Sequence, residues 1–262
     1  MTGLGYRREM HDWPLAEVHA DFFEVVPENW LRRDRSRLHE LRADGRPVHL
    51  HGVSLNLGGH GELSPGFLRS VASMCDELGG ATYSDHLAAS GDAHQLYDLF
   101  PIPFTASEAR RVADRIARAQ DILGRRMAIE NATYYTNVGD MDEMSFLLQV
   151  LRWADCDLLL DLNNLEVNRK NHGGPSLASS LAQVPWERVR YLHVAGHEFN
   201  DRLGMHIDTH SEPVDASTRE WAAWVQRTHG KPVLLEWDND VPDLARINQE
   251  LAWLGSTTMC AA

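Results

Sequence analysis

The stretch Tyr191 to His210 reads YLHVAGHEFNDRLGMHIDTH. It places His193, His197, His206 and His210 in a short span together with Asp201 and Asp208. Neutral imidazoles and carboxylates at the mouth of a buried strand are the ligands that borderline divalent metals take. In Asp208-x-His210 two such donors fall on one side of an extended segment, because side chains alternate with period two. By itself the stretch is equally readable as a polar, His-rich loop. The rest of the chain has to show whether other donors join it.

They would need a scaffold, and the sequence has a regular rhythm of apolar run, polar loop and amphipathic stretch. The apolar runs are 3–6, 22–26, 48–50, 81–84, 127–129, 158–160, 189–194 and 233–235. A short helix-like piece near 13–19 follows the first run. Longer amphipathic stretches follow the others, at 31–42, 65–78, 105–123, 141–153, 177–182, 217–228 and 244–254. Thr105 with Glu108 makes a capping-box pattern. Ala109, Val112, Ala113, Ile116, Ala119, Gln120 and Leu123 keep helical spacing, and Gly124 ends the run. Ser64-Pro65 opens the stretch that Gly79 closes. Strand–helix alternation repeated eight times over 262 residues predicts a closed (β/α)8 TIM barrel, as one domain spanning residues 1–262. A doubly wound open sheet is the alternative, without a GxGxxG after the first strand.

The donors then fall into place by position. Glu24 lies in the second strand, with Glu28 and Asn29 just beyond it. The third strand ends in His51, the fourth reaches His86, and the fifth ends in Glu130-Asn131. The sixth ends in Asp161, with Asn163 and Asn164 next. The seventh contains His193 and leads to Asp208 and His210, and the eighth ends in Glu236. In a barrel these ends share one face, where sites of this fold are built. The prediction is a metal cluster at the C-terminal ends of the strands. With more donors than one ion needs, two or three ions are expected. No cysteine is among them, so the set suits iron, manganese or zinc rather than a thiolate site.

Glu24 and Asn29 are read as contacts that orient a ligand or touch substrate, with Asn131, His197 and His206 in similar roles, although His206 could replace a ligand. Asn163 and Asn168 are expected to brace a loop around Asp161. Tyr134 and Tyr135 could line the cleft or pack as an aromatic wall. His11, His19, His39, His60, His94, His172 and His229 have no ligand-like setting. Arg32, Arg33, Arg35 and Arg37 are read as one solvated helix face, with attraction of an acidic leader peptide or partner as the alternative. Gly58–Gly61 and Asn171–Pro175 are read as loops at the mouth, the second as part of a lid.

Composition narrows the classes. A net charge of −13 argues against a nucleic-acid partner. No apolar run reaches the ~18–20 residues of a membrane helix, and the N-terminus lacks a secretory pattern, so a cytoplasmic protein without membrane contact is expected. Cys75, Cys156 and Cys260 form no CxxC pair. The first two are read as buried thiols and the third as part of a frayed tail.

The segments DFFEVVPENW, HLHGVSLNLG, SDHLAAS, YDLFPIPFT, AIENATYY, LLLDLNNLEVN, YLHVAGH, IDTHSEPV and LLEWDND together resemble the multinuclear non-heme iron-dependent oxidative enzymes, the DUF692 family. That family shares its barrel superfamily with xylose isomerase and endonuclease IV. The resemblance implies one ion on His51, His86 and Glu130, and a second on Glu130, Asp161, His193 and Glu236. It implies a third on Asn164, Asp208 and His210, held less tightly because an amide is a weak neutral donor. It also implies iron cycling between Fe2+ and Fe3+, O2 as co-substrate, and a cysteine of a ribosomally made precursor peptide as substrate. The cysteine thiolate would be held on one iron while O2 reacts at its neighbour. Oxidative rearrangement, heterocycle formation or β-carbon excision would follow, often with a partner protein that recognises the leader peptide. The alternatives are a metal-dependent hydrolase or isomerase of the same superfamily, such as an abasic-site endonuclease, or a non-catalytic metal- and peptide-binding subunit.

Overall fold

The computed structural model describes residues 1–91, 99–136 and 138–256; His94 and Cys260 lie outside them. Eight parallel strands close into a barrel: β1 Thr2–Gly5, β2 Phe22–Val25, β3 Val48–Gly52, β4 Tyr83–His86, β5 Ala128–Glu130, β6 Asp157–Asp161, β7 Val189–Val194 and β10 Val233–Leu235. They run in chain order around the barrel, and β10 pairs with β1 to close it. The helices α1 Ser36–Arg42, α2 Pro65–Glu77, α3 Ala106–Leu123, α4 Glu143–Ala154, α5 Leu162–His172, α6 Leu177–Leu181, α7 Ala216–His229 and α8 Leu244–Gly255 follow the strands. A two-stranded antiparallel hairpin, β8 Glu198–Asn200 with β9 Met205–Ile207, is inserted after β7. No helix of the described residues is long and apolar enough to cross a membrane.

The period-two rule builds the barrel lumen. A small apolar cluster of Phe22, Ala128, Leu159, Tyr191 and Leu234 is separate from the main core between sheet and helices. Each of these five precedes a donor by two residues: Glu24, Glu130, Asp161, His193 and Glu236. Side chains two apart on a strand share a face, so the apolar layer forms a floor and the donors form the layer above it. The pairing aligns them: His86 lies opposite Glu130, and Asp161 opposite His193. Strand β1 gives no donor to this layer. A Cβ on its Gly3 would lie 2.4 Å from the Phe22 ring, so that position has room only for hydrogen.

Helix ends follow their sequence signals. Ser64 and Thr105 accept the backbone N–H three residues on, from Phe67 and Glu108. The Glu108 side chain turns to Arg111 instead of closing the box. Three expectations need correction. The helix after β2 begins at Ser36, because Pro27–Asn29 forms a 3-10 turn that places Arg32 and Arg33 ahead of it. The four arginines are thus not one face: Arg35 pairs with Glu77, and Arg37 donates to the Tyr6 hydroxyl and the Trp13 carbonyl. The piece near 13–19 is only a 3-10 turn, Leu15–Glu17. Finally, the segment after Asp161 is helix α5, not a loop. Its first seven residues, Leu162–Asn168, are all buried, so it has no polar face to give an amphipathic pattern. Asn171 and His172 are its last turn, ended by Gly173 at φ 68°.

Candidate metal centre

The rim brings the donors together. His51 Nε2 lies 3.0 Å from Glu130 Oε2, and His86 Nε2 lies 3.3 Å from the same oxygen. The two imidazole nitrogens face each other at 3.3 Å. On the other side, His193 Nδ1 is 3.3 Å from Glu130 Oε1 and 3.1 Å from Glu236 Oε2. Three groups emerge whose ligand atoms lie within 4.8 Å of one another: His51, His86 and Glu130; Glu130, Asp161, His193 and Glu236; and His210, Glu236 and Asp238. Glu130 belongs to the first two and Glu236 to the last two, so the groups form a continuous row.

The hydrogen bonds around the row fix which atoms face inward. Glu24 Oε2, buried, lies 2.9 Å from His193 Nε2 and accepts the Tyr191 hydroxyl at 2.5 Å. A carboxylate only accepts, so His193 keeps a proton on Nε2 toward Glu24 and turns Nδ1, the atom an ion would take, toward Glu130 and Glu236. Ser84 Oγ takes His51 Nδ1 at 2.9 Å and leaves His51 Nε2 toward Glu130. Arg7 Nη2 holds Glu236 Oε1 at 2.9 Å, so Oε2 faces His193; its Nε pairs with Asp238.

The Asn164 amide is on α5. Its Nδ2 donates to the Asn131 carbonyl, and its Oδ1 lies 2.6 Å from the Thr133 hydroxyl, which is 3.1 Å from Asp208 Oδ2. Asp208 Oδ1 lies 2.9 Å from His210 Nε2. Asn131 ties β5 to β6 by bonding both the N–H and the C=O of Asp161. His197 and Asn163 sit side by side below Asp208. His206, on β9, packs edge-on against His197 and Phe199 and is not in the three donor groups. Asn29 is exposed on its turn. Tyr134 is wall packing, stacked on His172, while the Tyr135 hydroxyl accepts the Asp208 N–H. Cys75 and Cys156 are buried, which pushes their thiols up to about 11 and about 12, and neither joins the three donor groups.

Burial alone would raise Glu130, but His51, His86 and His193 overcome it and hold its carboxyl well below the usual range. Asp161 goes the other way: burial first, then the carboxylates of Glu130 and Asp208, push it well above. Converging buried carboxylates of this kind require cations to ionise together. Among the described residues, Glu130 Oε2, Asp161 Oδ2, His193 Nδ1 and His210 Nε2 are buried atoms without a well-aligned hydrogen bond, although other donors of the row lie 2.9–3.3 Å from three of them. Close donors whose lone pairs are left unpaired fit cations placed between them.

Arg7 and Asp238 were not among the residues singled out from the sequence. Asp238 had a signal, since it follows Glu236 by two on the same face. Arg7 had none, because β1 presents only glycines before it.

A family model described as the RiPP precursor modification enzyme MbnB/TglH/ChrH matches residues 1–258. The chain belongs to this family. A UPF0276 protein of Pseudomonas aeruginosa strain UCBPP-PA14 is 41% identical over 257 residues, covering 95% of this chain and 89% of that protein. One from Acinetobacter baylyi is 41% identical over 256 residues, covering 96% and 88%. Among solved structures, D-psicose 3-epimerase from Clostridium cellulolyticum superposes with a TM-score of 0.65 at 10% identity, over 97% of this chain and 96% of that one. Endonuclease IV from Thermus thermophilus gives 0.61 at 17%, over 97% and 98%. These two likenesses show the fold alone, the closed α/β barrel already described. Membership of the MbnB/TglH/ChrH family makes the chain an enzyme of precursor-peptide modification.

Proposed function

We propose that the chain is a multi-iron, O2-dependent enzyme that oxidises a cysteine of a ribosomally synthesised peptide. The observation that carries the reading is the row of imidazoles and carboxylates, free of thiol, in which Glu130 faces two donor groups at once. His51, His86 and Glu130 would hold one ion, and Glu130, Asp161, His193 and Glu236 a second. The outer donor group is His210, Glu236 and Asp238; Asp208, 2.9 Å from His210 Nε2, and the Asn164 amide would join it in holding a third. Iron held there would supply one-electron chemistry with O2 and a Lewis acid for the substrate thiolate.

The chain's own part is placement. Glu24 and Ser84 engage the far nitrogens of His193 and His51, so once the inner proton is displaced each would present a lone pair to an ion without a tautomer change. Arg7 keeps Glu236 turned inward. The apolar floor under the donors excludes water from below. The thiol that reacts would come from the peptide; among the described residues the cysteines, Cys75 and Cys156, are buried in the core. A separate protein that recognises the leader is part of this proposal.

The test is co-expression with small cysteine-containing peptides encoded nearby, followed by mass spectrometry and repetition with purified iron-loaded protein. A mass change at cysteine that disappears under anaerobic conditions is expected. Turnover undiminished without O2 would rule the reading out.

A further inference from the structure

Beside the outer donors lies a line of polar groups that the proposed chemistry does not use. Lys170 Nζ is 2.7 Å from His197 Nε2 and 3.1 Å from Asp215 Oδ2. His197 Nδ1 is 2.6 Å from Asn163 Oδ1, and Asn163 Nδ2 is 2.6 Å from Asp208 Oδ1. Asn163 is fully buried. Lys170 and Asn163 lie two turns apart on α5, His197 follows β7, and Asp215 caps α7. The line therefore joins three elements to the segment that carries Asp208.

The two ends set the direction of every bond between them. An ammonium group can only donate, and a carboxylate can only accept. Lys170, at 2.7 Å, donates to His197 Nε2 in preference to the longer 3.5 Å approach of that nitrogen to Asp215 Oδ2, so the ring proton sits on Nδ1. That proton goes to the Asn163 carbonyl oxygen, which turns the Asn163 amide N–H toward Asp208. The opposite order would put a ring N–H 2.7 Å from the ammonium and two acceptors 2.6 Å apart at Asp208.

We propose that Lys170, His197 and Asn163 are positioning residues whose one-way hydrogen bonds present Asp208 to the outermost cation. The inference rests on the rim being a cation centre. Thr133, 3.1 Å from the other Asp208 oxygen, completes the orientation. Because Asp208 is reached through a hairpin segment and not from a barrel strand, it lacks the fixed pleat that aims Glu130 or His193 and needs this outside support.

Two measurements test it. Nitrogen-15 NMR of the wild type reads the His197 tautomer directly, with a proton on Nδ1 and none on Nε2 expected. Anaerobic titration with ferrous ion alone, followed by metal analysis, reads each site. K170M, which acts on Asp208 through His197 and Asn163, should weaken the outermost ion by up to about 10-fold, the low end for removing a partner bonded to a ligand, and leave the inner two unchanged. K170R, which restores a cationic donor, should recover much of the loss. A proton on His197 Nε2, an unaltered third ion in K170M, or equal loss of all three ions would each overturn the role. The wild-type spectrum and K170R decide the matter if K170M does not fold. A wild type that binds no cation would end the reading of the centre and this role together. Normal ion binding without oxidation of any peptide would remove only the proposed function.

Discussion

Asp161 accepts the backbone N–H of Asn164 at 2.7 Å with Oδ1, while its buried Oδ2 has no hydrogen-bond partner among the described residues. One carboxylate thus starts helix α5 and aims its second oxygen at the donor row. The two roles separate by substitution. Asp161→Asn keeps a good N-cap and removes the charge, so the metal-free protein should be at least as stable as wild type near neutral pH while binding fewer ions. Asp161→Ala removes the cap as well and should cost a further ~1 kcal/mol. Thermal unfolding of the metal-free variants, together with metal analysis, checks both.

Glu130 is the residue shared by the two inner groups. Glu130→Gln should therefore lower the content of both inner ions, whereas His86→Ala should chiefly affect one. Glu24→Gln should act more mildly. An amide can donate toward His193 Nε2 and move the ring proton to Nδ1, so the second ion should weaken by about 10- to 100-fold. Metal analysis of the three variants separates these outcomes, and equal loss in all three would contradict the shared position.

The pH dependence of ion binding follows from His51. Burial opposes its charging, but Glu130 and Glu24 outweigh that and raise it to about 9. The cation and the proton compete for this imidazole, and the raised value means that His51 is protonated at pH 7 in the metal-free chain. Ferrous affinity should therefore rise as pH increases from 6 toward 9, and binding should release protons. Calorimetry at pH 7 in buffers of different ionisation enthalpy measures that release. Affinity that falls over this range would contradict it.

Gly196 sits where the chain leaves β7 and crosses the segment after His210. A Cβ there would lie 1.9 Å from the Glu212 carbonyl oxygen, and the Gly196 carbonyl accepts the His210 N–H at 3.1 Å. Gly196→Ala should destabilise the fold by about 1–3 kcal/mol, the range for overpacking. It should also loosen the outer ion first, because the displaced segment carries His210 and Asp208. Denaturant unfolding with ferrous titration would show whether both effects occur.

The chain's alternation already held the barrel and most of its rim. Residues two apart on a strand must share a face, so an apolar residue followed by Glu130, Asp161, His193 or Glu236 states a floor and a donor without further information. That rule works only along a strand. It gave no hint that α5 begins at Asp161, because a helix buried among polar neighbours has neither an apolar stripe nor a polar face. It could not bring Arg7, just past the first strand, to Glu236, just past the last, since only barrel closure makes those strands adjacent. Nor could it orient Asp208, which is held by partners on α5 and beyond β7. The kinds of donor were thus written locally, by strand periodicity. Their grouping, the direction of their hydrogen bonds and the charge that faces each of them arise from contacts between distant segments, and tertiary closure alone creates those.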